Sequence, residues 1–192
     1  PDLMEVAAAA RNAVFLPYGH VDVAATPVVP PRAGPVRFLH LPSVRDVKGT
    51  ELFENAVGEL KAAGVSCSLT VADSVSNDEA ARLIAGHDVL LDQLRVGWYG
   101  GVAVEAMAAG KPVVAHIVDA DLPRIPAQMA ADLPVVRARP DTVADVLRSV
   151  AGWTEQERAA ASERSRAFAE RWHMPQAVAR QVLDAYEAAR QE

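Results

Sequence analysis

From residue 36 onward, short apolar runs alternate with longer stretches in which apolar residues recur every three or four positions. The run VRFLHL at 36–41 predicts a strand stopped by Pro42. The segment after it places Leu52, Phe53, Ala56, Val57 and Leu60 on one stripe of a helix that Gly64 ends. Residues 65–71 alternate instead, with Val65, Cys67, Leu69 and Val71 set against Ser66, Ser68 and Thr70. A central parallel strand is apolar on both faces, so this second strand is expected at a sheet edge. Ser76 followed by Glu79 has the pattern of a capping box for a short helix, with Ala80, Leu83 and Ile84 inward and Gly86 as terminator.

A third strand is expected at 89–91, a helix at 102–109 stopped by Gly110, a fourth strand at 113–118 and a short fifth at 134–137. Pro123 and Pro126 restrict 119–132 to a turn or a short helix. Three helices then close the chain. The first, 142–150, turns Val143, Val146, Leu147 and Val150 inward; the second is capped by Thr154 and Glu157 and runs to about Arg171; the third begins at Pro175 and carries Val178, Val182, Leu183 and Tyr186. This alternation of elements indicates an α/β fold with an open, mostly parallel sheet of about five strands.

Upstream the pattern breaks. Residues 2–13 have helical composition, 14–16 form a short apolar run, and 18–22 read as a turn. Pro27, Pro30, Pro31 and Pro35 leave no regular element over 24–35. The expected organisation is an interdomain remnant with a proline-rich linker at 1–35, and a single domain at 36–192.

Composition narrows the class. A chain of 192 residues is large enough for one well-buried core. Three Trp, three Tyr and four Phe leave that core aliphatic, which suits an α/β domain better than an aromatic sandwich. A net charge of -6, with no basic run interleaved with aromatics, argues against nucleic-acid binding. Cys67 is the lone cysteine, so neither an intrachain disulfide nor a cysteine-rich metal site can form. The absence of an apolar run near 18 residues gives the expectation of no transmembrane segment and a cytoplasmic location, with peripheral membrane association of a longer protein left open.

Ligands of open parallel sheets bind beyond the carboxyl ends of the strands, where strand order reverses. Two loops meet that condition: 43–50, with Ser43, Arg45, Lys48 and Gly49-Thr50, and 92–101, with Asp92 and the turn Gly97-Trp98-Tyr99-Gly100-Gly101. The second leads into a helix whose first-turn N–H groups suit a phosphate. Arg45 and Lys48 are either solvated loop cations or ligands for a diphosphate. Glu105, among Val102, Ala103, Val104, Ala106 and Met107, is either a surface carboxylate well placed on the helix dipole or a partner for a ribose diol. Trp98 and Tyr99 either stack on a ligand or pack the turn, and packing is the commoner role of paired aromatics in an interior loop. Asp92 is assigned to capping the glycine turn. His40 at the end of the first strand and His116 in the fourth are more often core residues than catalysts; His20, His87 and His173 have no partners at metal-ligand spacing. The first strand is followed by LPSVRDVKGT, which contains neither G-x-G-x-x-G nor G-x-x-x-x-G-K-[ST], and no G-x-S-x-G occurs.

The segment 97–114, GWYGGVAVEAMAAGKPVV, resembles the donor-binding signature of GT-B glycosyltransferases of the family 4 type, through Tyr99-Gly100, Glu105-Ala106-Met107-Ala108 and Gly110-Lys111-Pro112-Val113. The upstream HLPSVRDVKGT at 40–50 is similar to a loop of that family, with Lys48-Gly49 at the phosphate-binding position. The resemblance covers roughly 36–190. It implies a Rossmann-like domain, the C-terminal half of a GT-B fold, that binds a nucleoside-diphosphate sugar, UDP- or GDP-linked, as donor of a retaining transfer. No further cofactor is expected, and no carboxylate cluster in the sequence suggests a metal. His40, Ser43, Arg45, Lys48, Gly97, Tyr99, Gly100, Gly101 and Glu105 would form the donor site, with Glu105 on the ribose and no catalytic residue assigned. The acceptor, of unknown identity, would be held mainly by a missing N-terminal domain of the same protein, and this domain alone would be inactive.

Two departures accompany the resemblance. The family pairs two glutamates eight positions apart, and the first position is Gly97 here. The stretch between Val71 and Val89 is also short by about one strand–helix unit. A nucleotide-sugar 2-epimerase of GT-B fold and a non-catalytic α/β binding domain are the alternatives.

Overall fold

A computed structural model describes residues 13–190, so the helix expected over 2–13 lies, apart from Ala13, outside the described residues. Five parallel strands form one sheet: β1 (Val36–His40), β2 (Cys67–Val71), β3 (Val89–Leu91), β4 (Val113–Ala115) and β5 (Val136–Arg137), in the order β2-β1-β3-β4-β5. The alternating strand β2 lies at an edge and has no fully buried residue, whereas β3 and β4 are buried throughout. Helices α1 (Arg45–Lys48) and α2 (Thr50–Ala62) join β1 to β2, α3 (Asn77–Gly86) joins β2 to β3, and α4 (Gly101–Ala108) joins β3 to β4. A 3-10 helix at Asp119–Arg124 and α5 (Ala127–Asp132) precede β5; α6 (Val143–Ala151), α7 (Glu155–Trp172) and α8 (Pro175–Ala189) follow it.

Successive strand residues point to opposite faces, and this divides the core in two. Phe38, Leu91 and Val114 pack with Phe53, Ala56 and Leu60 of α2 and Leu147 and Val150 of α6. Leu39, Leu90 and Val113 pack on the other face with Ile84 of α3, Ala103 and Met107 of α4, and Phe168 and Ala169 of α7. The small residues of α4 let it lie against both the sheet and α7, and Ala103, Ala106 and Ala108 are fully enclosed. At the amino end of the sheet Arg37 grips Asp88, with Nη2 to Oδ1 at 2.7 Å and Nε to Oδ2 at 2.9 Å. Burial pushes the Asp88 carboxyl up, but the hydrogen bonds and charge of Arg37 outweigh it and hold the group below its usual range.

Residues 13–35 contain no helix or strand, yet they are packed on the α4 side of the domain. Val21 and Val23 are buried in that core, and Phe15 meets Trp98 edge-on. Most polar ties of this strap run through its backbone. Arg158 Nη1 donates to the Gly34 carbonyl at 2.8 Å, Arg166 Nη1 to that of Thr26 at 2.9 Å and Lys111 Nζ to that of Val29 at 3.2 Å. The Val29 N–H donates to Ala109 at 3.2 Å. Burial draws the Lys111 ammonium down to about 8.

The structure modifies several sequence expectations. Strand β4 ends at Ala115, because β5 offers only Val136 and Arg137 as partners for Val114 and Ala115; beyond it the N–H groups of His116 and Val118 donate to the Gln93 and Gly97 carbonyls of the loop after β3, at 2.8 and 3.0 Å. The 119–132 region holds two short helices where a turn or a single short helix is expected. The Thr154–Glu157 box is complete, with Thr154 N–H to Glu157 Oε2 at 2.8 Å and Glu157 N–H to Thr154 Oγ1 at 3.2 Å. Helix α8 has no buried residue, and Leu183 and Tyr186 are exposed on it.

Candidate functional site

From β1 the chain crosses to β2 on one side, and from β3 it crosses to β4 on the other, so strand order reverses between β1 and β3. The loops leaving those two strands flank the crevice this creates. They are joined directly, the Leu94 N–H donating to the Lys48 carbonyl at 3.1 Å. Gly49, at φ 72°, supplies the left-handed turn that swings the chain from α1 into α2.

Asp92 organises the crevice. Its carboxylate is wholly buried and takes two charge-satisfying partners, the Lys48 ammonium at 2.9 Å on Oδ1 and the Gly100 N–H at 2.6 Å on Oδ2. The aspartate therefore caps the glycine turn, as the sequence suggests, and also fixes Lys48 at the start of α4. A side chain at Gly100 would begin 2.9 Å from Lys48 Nζ. Helix α4 starts with no side-chain cap; from the capping position only the Gly100 carbonyl reaches its first turn, accepting from the Ala103 N–H at 3.2 Å. An ammonium has three donors, and Asp92 takes one of Lys48's.

Glu105 stands one turn into α4, half-exposed, with Oε1 3.5 Å from His20 Nε2. It also lines a cavity of about 170 Å3 between α3, α4 and the strap, walled by Ala81, Ile84, Val21 and Pro27. Ser43 is exposed on the β1 loop. Arg45 points to Glu54 of α2, Nη2 to Oε1 at 2.7 Å, with Asp73 3.6 Å from Nη1; it does not join the Lys48–Asp92 pair.

His40 is fully buried. Nδ1 donates to the Leu91 carbonyl at 2.7 Å, tying the ends of β1 and β3 together, and Nε2 lies 2.9 Å from the Thr50 hydroxyl. Burial lowers its pKa; in the neutral ring Nε2 is an acceptor facing the Thr50 hydroxyl, whose single proton is shared between that nitrogen and the Arg45 carbonyl at 3.1 Å. Tyr99 is also enclosed, tilted against Trp98 and edge-on to Phe168, with its hydroxyl 3.1 Å from His173 Nε2. Both aromatics of the turn thus pack the core, the commoner of the two roles considered for them. His116 lies one residue beyond β4 rather than inside it, with Nδ1 buried and unpartnered.

Gly97 occupies a tight place. A Cβ there would sit 2.5 Å from Val118 Cγ2 and 3.7 Å from Asp121 Oδ2. Asp121 is buried and paired with Arg124 Nη1 at 2.5 Å. Asp121, and His20, weighed in the sequence only as a metal ligand, are polar groups near the crevice to which sequence reasoning gave no role there. Each comes from a segment with no fixed spacing to the loops it meets. Among the described residues no group of three His, Cys, Asp or Glu side chains is arranged to hold a metal.

An all-parallel sheet with a crevice at its switch point, flanked by helices on both faces, defines a Rossmann-like domain, and this one matches the C-terminal half of a GT-B fold. No protein-family model matches the chain, and no curated protein matches it. Solved structures do. Sucrose-phosphate synthase from Thermosynechococcus elongatus aligns with a TM-score of 0.63 at 15% identity, over 91% of this chain and 52% of that one. Anabaena HepE in complex with UDP-glucose aligns at 0.58 and 15%, over 81% of this chain and 50% of that one. A glycosyltransferase from Rickettsia africae aligns at 0.60 and 14%, over 82% and 48%. The chain thus spans about half the length of the solved proteins it matches. Among the described residues no helix is long and apolar enough to cross a membrane.

Proposed function

We propose that this domain binds the nucleoside-diphosphate sugar of a retaining glycosyltransferase of the family 4 type. The observation that carries the reading is the Asp92 clamp, which sets the Lys48 ammonium beside the uncapped start of α4 at the switch point between β1 and β3. A diphosphate seated there meets an ammonium and first-turn amides together. Glu105, one turn further along the same helix, takes the ribose hydroxyls. In the transfer the bond from sugar C1 to the diphosphate oxygen breaks, its electron pair leaves on the phosphate, and C1 bonds to the acceptor hydroxyl oxygen, whose proton passes to the departing diphosphate. Lys48 and the Gly101 amide stabilise the charge that develops on the leaving group.

His40 acts from beneath, by holding the β1 and β3 ends in register. Arg45 contributes less than Lys48, because it must first leave Glu54. The acceptor and the rest of the cleft belong to a further domain. Support comes from the half-length match to the solved proteins and from Leu183 and Tyr186, exposed on the terminal helix where a partner domain covers them.

Calorimetric titration with UDP, GDP and ADP tests the reading. One diphosphate is expected to bind, with Lys48→Ala weakening it by roughly 10- to 100-fold, as for the loss of a charge-assisted hydrogen bond. Glu105→Ala is expected to weaken it by about tenfold, and Arg45→Ala by no more than about threefold. A folded wild-type chain that binds none of the three overturns the proposal and favours a non-catalytic role.

A further inference from the structure

Two glycines in succession open α4, and a different nitrogen-bearing side chain approaches each. At Gly100 it is Lys48, whose Nζ lies 2.9 Å from where a Cβ would be; at Gly101 it is His20, whose Cε1 and Nε2 lie 3.3 and 3.4 Å from that point. Lys48 comes from the β1 loop and His20 from the strap, so the start of the helix is flanked by an ammonium and an imidazole delivered by separate segments. The strap turn around His20 is fixed on several sides. The Tyr18 carbonyl accepts from His173 Nδ1 at 2.7 Å, His173 is bonded in turn to Tyr99, and Gly19 fits against Val178 of α8, where a Cβ would meet Val178 Cβ at 2.9 Å. The His20 ring itself stays 44% exposed, edge-on to Tyr18, and its contact with Glu105 at 3.5 Å is longer than a good hydrogen bond. A tightly held turn that presents a loosely engaged imidazole at a helix start has the form of a ligand contact rather than a packing contact.

We infer that His20 is a binding residue of the donor site, its Nε2–H donating to a phosphate oxygen of a nucleoside diphosphate held at the start of α4, opposite Lys48. The inference rests on the proposed donor-site function. It makes the strap part of the site and gives Glu105 a second task, orienting the ring while it meets the ribose. It also bears on glycine at 101, where a Cβ would crowd the imidazole at 3.3 Å from Cε1.

The test compares the wild-type chain with His20→Ala and His20→Gln, titrated with UDP and GDP and with uridine and guanosine. His20→Ala is expected to lose roughly tenfold in affinity for the diphosphate while nucleoside affinity is unchanged. His20→Gln, which keeps an N–H donor, is expected to recover part of that loss. The His20 Cε1–H resonance of the wild-type chain, read by NMR, should move on adding the diphosphate and stay put on adding the nucleoside, a readout independent of any variant's folding. A wild-type chain that responds to no diphosphate overturns the donor-site reading and this inference with it. Diphosphate binding that His20→Ala leaves intact, or a loss shared equally by nucleoside and diphosphate, overturns the role of His20 alone.

Discussion

Gly97 shows how shape, and not only chemistry, sets what a position can hold. The space a Cβ would need is already occupied by Val118, a β-branched side chain with little rotamer freedom to yield. Gly97→Ala is therefore expected to destabilise the domain by about 1–3 kcal/mol, read as a lower urea midpoint. Adding Val118→Ala should recover part of that loss by opening the same space. A glutamate at 97 would meet the same obstruction and the Asp121 carboxylate besides, so reinstating the acidic pair of the resembled family is expected to damage this fold. Lys48 and Glu105, the residues the sequence singles out, sit in motifs where chemistry and spacing travel together. His20 and Asp121 were not legible, because each is brought in by a segment whose distance along the chain carries no information about its distance in space.

At the scale of elements, the clearest signals came from patterns that encode burial or capping locally. Alternation marked β2 as an edge, and the threonine–glutamate pair marked the start of α7, where both halves of the box are formed. Thr154→Ala is expected to cost about 1 kcal/mol of stability in chemical denaturation, since it removes the acceptor for the Glu157 N–H. The end of β4 misled for a physical reason. The apolar run continues through Ile117, which is buried, but burial there comes from the α4-side core while strand identity needs a neighbour to pair with. The two-residue β5 supplies none beyond Ala115. Apolar periodicity reports what is covered, not which segments pair as strands.

For the whole molecule, pH couples the strap to the core through His173. Its ring is enclosed, Nδ1–H donates to Tyr18 and Nε2 accepts from Tyr99, so the neutral form satisfies both partners. Burial chiefly holds its pKa down, to about 4. In the unfolded chain a histidine titrates near ~6.5. Between those values the unfolded state binds the extra proton, so the stability His173 contributes is complete above about 6.5 and drains away as pH falls toward 4, in total by about 3 kcal/mol. His40, shifted the same way, adds to the slope. Urea midpoints at pH 7 and 4.5 should converge more for His173→Gln than for wild type; an unchanged difference would show that this ring is not the coupling group.

The strap's anchoring also bears on how freely its sequence can vary. Arg158, Arg166, Lys111 and His173 take hold of carbonyl oxygens, and a carbonyl is the same whichever residue bears it. Specificity for strap side chains is left to a few places: Val21 and Val23 in the core, Gly19 against Val178, and His20 over the helix start. Between them, at exposed sites such as Val28, substitution leaves the fastening untouched so long as the path of the backbone is kept. The segment is docked by its main chain, like a strand without a sheet, which leaves most of its surface positions open to drift while one side chain stays in position at the crevice.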